Sequence, residues 1–204
     1  LDSHGQARLT DFGIANVADA LAALRRLVFD EQAVSLADLR DALAGDFAGR
    51  EDLRRMLIAR APKFGNDVAA VDDIAAAEAA FYCDEVARIP TPEGGPHLPL
   101  VFGTSPQAVY QFGPATGALP DGRTAAFPVA TSCNPTRGAN LAGLTAELNS
   151  VARLDYTRTS GGVSYIVDLH PNLVAGDTAR DALAAALRTF FQRGGMEIGI
   201  NILR

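Results

Sequence analysis

The stretch from Ala115 to Gly138, ATGALPDGRTAAFPVATSCNPTRG, limits most severely what this chain can fold into. Pro114, Pro120, Pro128 and Pro135 follow one another too closely for a helix to persist, since each removes a backbone donor and crowds the preceding turn. Leu119-Pro120-Asp121-Gly122 is a turn with a mechanism: proline presets φ, Asp bonds its own backbone, and Gly takes the left-handed position. Arg123 follows that corner, and its ordinary role is to tie down its own loop. A fixed loop between regular elements is where α/β proteins usually keep their chemistry.

Amphipathic helices are expected before the loop. Ile14, Val17, Leu21, Leu24 and Val28 recur at steps of three and four, which predicts a helix with Asn16, Asp19 and Arg26 on its opposite, solvated face. Ser35 and Asp38 form a capping-box pattern for a second helix carrying Leu36, Leu39 and Leu43. A third follows Glu51 and Asp52 and buries Leu53, Met56 and Leu57. After Pro62, Asn66 is the expected cap of a helix running to about Arg88, with Asp67, Asp72 and Asp73 on a solvated first turn that suits the helix dipole.

Beyond Pro90 the pattern changes. Leu98 to Phe102 reads as a short strand and Ser105 to Phe112 as a second extended stretch. After the loop, Leu144, Leu148 and Val151 mark a helix, and Val163–Leu169 alternates as a strand. Asp177 is the expected cap of a last helix striped by Leu183, Leu187, Phe190 and Phe191, and Met196–Leu203 is the expected final strand. The natural division separates a helical part, residues 1–90, from an α/β part, residues 91–204.

Composition removes several function classes. A net charge of −6 with scattered basic residues repels nucleic acid and anionic membranes alike. No apolar run approaches the roughly 18 residues of a membrane span, and no signal peptide opens the chain, so a cytoplasmic protein is expected. The sequence opens on Leu1 rather than Met and ends on a strand-like run, the pattern of a piece of something longer. Cys83 and Cys133 suit a reducing compartment and read as small buried hydrophobes; with no adjacent histidine pairs they make no zinc site.

Several blocks in fixed order carry a resemblance. LTDFGIANVADALAALRRLVF at Leu9–Phe29, APKFGND at Ala61–Asp67, TGALPDGR, NPTRG, LTAELNSVARLDY and RTFFQRGGMEIGIN together resemble the C-terminal part of the pyruvate formate-lyase-like domain of glycyl radical enzymes. Where the family is richer in Asp after GND, this chain has Val68-Ala69-Ala70. The resemblance implies an α/β fold, half of a ten-stranded barrel with a helical lead-in, and residues 1–90 and 91–204 as two parts of one domain. It implies an anaerobic lyase or dehydratase that breaks C–C, C–O or C–N bonds through a thiyl radical. Its glycyl radical is installed by a radical-SAM activating enzyme, its substrate is a small molecule, and its assembly is a homodimer.

This stretch carries neither a Gly-Cys-Val-Glu-like cysteine setting nor an Arg-Val-Ser-Gly-Tyr-like glycyl motif, so no cofactor is expected on these residues and no residue is assigned a catalytic role. A non-catalytic remnant or scaffold is the competing reading. The amino-terminal helices lean towards the dehydratase and amine-lyase branch, and Asn134-Pro135 with Val163-Ser164-Tyr165 towards formate acetyltransferase. Gln107, Ser132, Cys133, Asn134 and Asn201 are the candidates for lining a substrate pocket. Strand parity sets Glu197, Gly199 and Asn201 opposite the isoleucines, and Ser164, Asp168 and His170 opposite Val163, Tyr165 and Val167. A lumen and a solvent-facing strand edge explain those polar faces equally well.

Overall fold

Alanine decides how the first helix packs. In the computed structural model, which describes residues 8–10, 13–92, 94–101, 108–160 and 165–203, helix α1 (Ile14–Ala23) lies on helix α4 (Ala69–Arg88). Ala15, Ala18 and Ala22 of α1 share one buried cluster with Val71, Ala75 and Ala79 of α4. Small side chains at steps of three and four let two helix backbones approach closely. The expected face is therefore corrected: Val17 and Leu21 are 38% and 44% exposed, whereas Asn16 and Asp19 are 2% and 0% exposed. Bulkier side chains would hold the helices apart, and the two polar ones are buried because each finds hydrogen-bond partners.

α1 runs on into a wider, π-type turn, Leu24–Asp30. From it Leu27 fills a second core with Leu39 and Ala42 of α2 (Leu36–Ala44), Phe47, and Leu53 and Leu57 of α3 (Glu51–Arg60). Ser35 caps α2 as expected, its Oγ accepting from the Asp38 N–H at 3.0 Å.

Asn66 does not cap α4, whose flanking residue is Val68. Its amide instead donates to the Lys63 and Ala139 carbonyls and accepts from the N–H groups of Leu141 and Ala142. Nor is the first turn of α4 wholly solvated. Asp67 and Asp73 are exposed, but Asp72 is fully buried and accepts from Ser150 Oγ at 3.0 Å, and burial raises its carboxyl to about 6.

Among the described residues the strands form two parallel pairs. β1 (Arg8–Thr10) pairs with β2 (Leu98–Leu100), and β3 (Ile166–Leu169) with β4 (Gly199–Ile202), Asp168 lying opposite Asn201. Both later strands are shorter than their alternation suggests. Val163 and Ser164 lie outside the described residues, and Met196–Ile198 leads into β4 without joining it. The expected extended stretch before the loop is corrected where it is described: Ala108–Phe112 is helical and passes into the helical turn Gly113–Ala115, where Pro114 needs no N–H partner.

Between that turn and α5 (Leu144–Val151) the chain is irregular, as the prolines require. Helix α6 (Gly176–Gln192) follows β3 and starts after Ala175, so Asp177 occupies its first turn and pairs with Arg180 rather than capping it. Phe190 of α6 reaches Tyr165, ring centroids 5.9 Å apart, and with Val167 and Leu169 closes the main core. Ile166 and Asp168 face away from it, and all four residues of β4 are exposed.

Candidate functional site

The loop is held from inside. Gly122 has φ of 92°. Its N–H donates to the Leu119 carbonyl at 3.0 Å, and the Leu119 N–H donates to the Arg123 carbonyl at 3.0 Å. Asp121 Oδ1 accepts from the Arg123 N–H at 2.8 Å, the local Asp bond that such turns favour. Arg123 is buried and donates to the carbonyls of Gly113, Thr116, Gly117 and Phe127, so it does tie down its own loop. Five donors on a planar fork suit one cation to gather several carbonyls.

A second polar layer fastens the loop to the helices. Asn16 Nδ2 donates to Asp121 Oδ2 at 2.7 Å, and Asn16 Oδ1 accepts from the Ala130 N–H at 2.7 Å. Asp19 accepts from the Phe64 N–H at 2.7 Å and from Thr136 Oγ1 at 3.0 Å. Lys63 Nζ donates to the Asp121 carbonyl at 2.7 Å. Burial pushes the Asp19 carboxyl up to about 7, against the opposing pull of the Phe64 N–H, Lys63 and Thr136. Burial likewise lowers Lys63, with Asp19 and Asp121 pulling the other way.

Two depressions flank the loop and share Arg137 and Gly138. One, about 200 Å³, lies between α3 and the loop, with Arg54, Ile58, Lys63, Phe127 and Leu141 in its wall. The other, about 450 Å³, lies between the end of the loop and β3, with Thr131, Asn134, Asn140, Glu147 and Asp168 in its wall. Glu147 accepts from Asn140 Nδ2 at 2.7 Å, and burial raises its carboxyl. Next to this depression Asn201 Nδ2 donates to Asp168 Oδ1 at 3.0 Å, so the polar residues of β3 and β4 share a face.

The sequence-derived candidates separate into those that reach an opening and those that lie beneath one. Asn134 lines the larger depression, its Nδ2 donating to the Ile166 carbonyl at 2.5 Å and its Oδ1 accepting from the Ile166 N–H at 3.3 Å. Asn201 is exposed beside Asp168. Ser132 and Cys133 are both 1% exposed. Ser132 Oγ donates to the Val101 carbonyl at 2.8 Å, and burial pushes the Cys133 thiol up to about 12. Gln107 lies outside the described residues. Of the histidines, His97 Nδ1 lies 2.8 Å from the Ile89 carbonyl and His170 Nδ1 accepts from the Asn172 N–H at 3.2 Å, both local backbone bonds. His4 lies outside the described residues.

Sequence reasoning missed Asn16, Asp19, Lys63 and Asn66. A signal existed for the first two. Asn16 and Asp19 stand three apart beside Ala15, Ala18 and Ala22, a small-residue face that admits a close neighbour.

The family described as Pyruvate formate lyase-like matches residues 4–111, and the family described as Glycine radical matches residues 129–204. The Escherichia coli protein named Probable dehydratase YbiW is 38% identical over 201 residues, covering 94% of this chain and 24% of that protein. The trans-4-hydroxy-L-proline dehydratase of Clostridioides difficile is 32% identical over 190 residues, covering 93% of this chain and 24% of that enzyme. The glycerol-bound structure of the glycerol dehydratase from Clostridium butyricum superposes with a TM-score of 0.89 at 35% identity, over 98% of this chain and 25% of that one. The chain thus spans about a quarter of the length of the relatives it matches, and its α/β fold is a portion of their barrel. Two ordered family matches, one of them over residues 4–111, agree with the loop and helix motifs from which the fold was built: the chain belongs to the pyruvate formate lyase-like family of glycyl radical enzymes.

Proposed function

We propose that these residues form part of the wall of a glycyl radical dehydratase or lyase that breaks a C–O, C–N or C–C bond in a small polar molecule. The dehydratase reading is favoured because YbiW and the hydroxyproline and glycerol dehydratases match at 32–38% identity, whereas the Haemophilus influenzae formate acetyltransferase matches at 27%. The observation that carries the assignment to a wall is the aligned polar face of Asn134, Asp168 and Asn201 on a fixed loop and two adjacent strands. Asn201 occupies one oxygen of Asp168, which leaves the other, and the Asn201 carbonyl, as acceptors for substrate hydroxyls. Ser132 and Cys133 support this surface from beneath.

Hydrogen abstraction in such an enzyme falls to a thiyl radical, generated from a stored glycyl radical that a radical-SAM activating enzyme installs. The residues described here contribute shape and hydrogen bonds. The larger buried cluster draws on residues from Ile14 to Phe190, which supports residues 1–90 and 91–204 as two parts of one domain. The same reading takes the complete protein as a cytoplasmic homodimer; among the described residues no helix is long and apolar enough to cross a membrane.

The test is anaerobic incubation of the complete polypeptide that carries these residues with an activating enzyme, S-adenosylmethionine and a reductant. A glycyl doublet in electron paramagnetic resonance, with loss of water from a vicinal diol or a hydroxylated amino acid, is the expected result. No doublet, or a doublet with cleavage of pyruvate alone, would overturn the dehydratase reading.

A further inference from the structure

The smaller depression has a charge pattern that the reaction surface leaves unused. Its wall carries Arg54, Lys63, Arg123 and Arg137 against only Asp19 and Asp121, in a chain whose net charge is −6. Both acids are already engaged: Asp19 holds the Phe64 N–H and Thr136, and Asp121 holds Asn16 and the Arg123 N–H. The cations are not equally spent. Arg123 is consumed by the loop carbonyls. Arg54 commits its Nε to the Gly122 carbonyl at 2.9 Å, and no other nitrogen of its guanidinium is bonded among the described residues. Arg137 is exposed and makes no hydrogen bond or ion pair among the described residues. Between these charges stand Ile58, Phe127 and Leu141, residues that are 45%, 45% and 86% exposed.

We infer that this depression binds a small organic carboxylate with a short branched apolar body, its head between Arg54, Lys63 and Arg137 and its body against Ile58, Phe127 and Leu141. Guanidinium groups hold a carboxylate through paired N–H donors, and a concave wall of one sign concentrates the opposite charge. Lys63, depressed by burial, gains from an added anion. An inorganic anion would leave the apolar wall wet, and a hydrocarbon would leave the cations uncompensated. The site adjoins the Asn134 surface, with which it shares Arg137 and Gly138, while Arg54, Lys63, Ile58, Phe127 and Leu141 line it alone of the two.

Isothermal titration of the complete polypeptide, without radical activation, tests this with 4-methylpentanoate as probe and its neutral isostere 4-methylpentan-1-ol as control. Omitting activation separates the outcome from that of the dehydratase reading. The expected result is saturable binding of the carboxylate and binding of the alcohol weaker by about ten- to a hundredfold, the worth of a charge-assisted bond. Arg137→Gln should weaken the carboxylate by a similar factor and Arg137→Lys by less, and Arg137 makes no hydrogen bond or ion pair among the described residues. Asn134→Ala, which alters the other depression alone, should leave binding unchanged. Equal binding of acid and alcohol, no saturation, indifference to Arg137→Gln, or loss with Asn134→Ala would each overturn the assignment.

Discussion

Gly122→Ala separates backbone strain from side-chain contact at the corner of the loop. The residue sits at φ of 92°, where an L side chain is disfavoured by about 1 kcal/mol. A Cβ there would also lie 2.5 Å from Ile58 Cγ1 and 3.2 Å from its Cδ1. Ile58 is 45% exposed and can swing away, at a cost of about 1 kcal/mol in rotamer strain and lost packing. Together these predict about 2 kcal/mol of local destabilisation, or roughly thirtyfold faster opening. Hydrogen exchange of a peptide covering residues 116–127 reads this directly, because the amides of Gly122, Leu119, Arg123, Ala125 and Ala126 are all bonded there. In an Ile58→Ala background the contact part vanishes, and the same substitution should accelerate exchange only about fivefold. Unchanged exchange in the natural background would mean that the corner is not fixed. Equal acceleration in both backgrounds would mean that Ile58 bears no part of the cost.

Asp19→Asn tests the buried network through pH. Because the folded carboxyl is raised to about 7, the fold binds a proton that the unfolded chain releases above its ordinary 3.8; stability contributed by Asp19 is therefore full below that value and falls until about pH 7. Chemical denaturation across that range should show the decline in the natural protein and a flatter profile in the variant, with the part due to Asp72 ending near 6. Arg123→Leu strips four carbonyls of a buried donor and should destabilise by about 3 kcal/mol or more, read as loss of protection across residues 113–127. Cys133, buried and with its thiol raised to about 12, should resist a disulfide exchange reagent at neutral pH until the protein unfolds; rapid labelling in the native state would contradict its placement. Asn201→Ala and Asp168→Asn should lower kcat/KM about tenfold or more while leaving the glycyl doublet intact, if their shared face touches substrate.

What the sequence displayed and what it concealed differ by the reach of the interaction. Short-range chemistry was legible: proline spacing kept the chain irregular from Thr116 to Gly138, Ser35 capped its helix, and Gly122 took the left-handed corner. Concealed features depend on partners far along the chain. Asn16 and Asp19 look solvated until Ala130, Asp121, Phe64 and Thr136 arrive to satisfy them. Asn66 looks like a cap until residues 139–142 offer it two donors and a carbonyl. Periodicity ranks bulk, so it chose Val17 and Leu21 over an alanine face that wins through closeness of approach. The candidate residues were drawn from a loop and a strand by type alone, and type does not tell Asn134, at an opening, from Ser132, beneath it.

The side-chain amide of Asn134 has one further consequence, for how the sheet can grow. It offers Ile166 a donor and an acceptor, as a peptide group of a neighbouring strand would. The groups of β3 that engage β4 belong to the alternate residues, since Gly199 and Leu203 donate to the Tyr165 and Leu169 carbonyls. Ile166 and Asp168 therefore address the opposite edge, and Asn134 already occupies its first rung. Among the described residues a strand arriving from that side finds the rung at Asp168 and must displace Asn134 to use the one at Ile166. Among the described residues the two edges of this pair therefore differ: the β3 edge is partly closed by Asn134, whereas all four residues of β4 stand exposed.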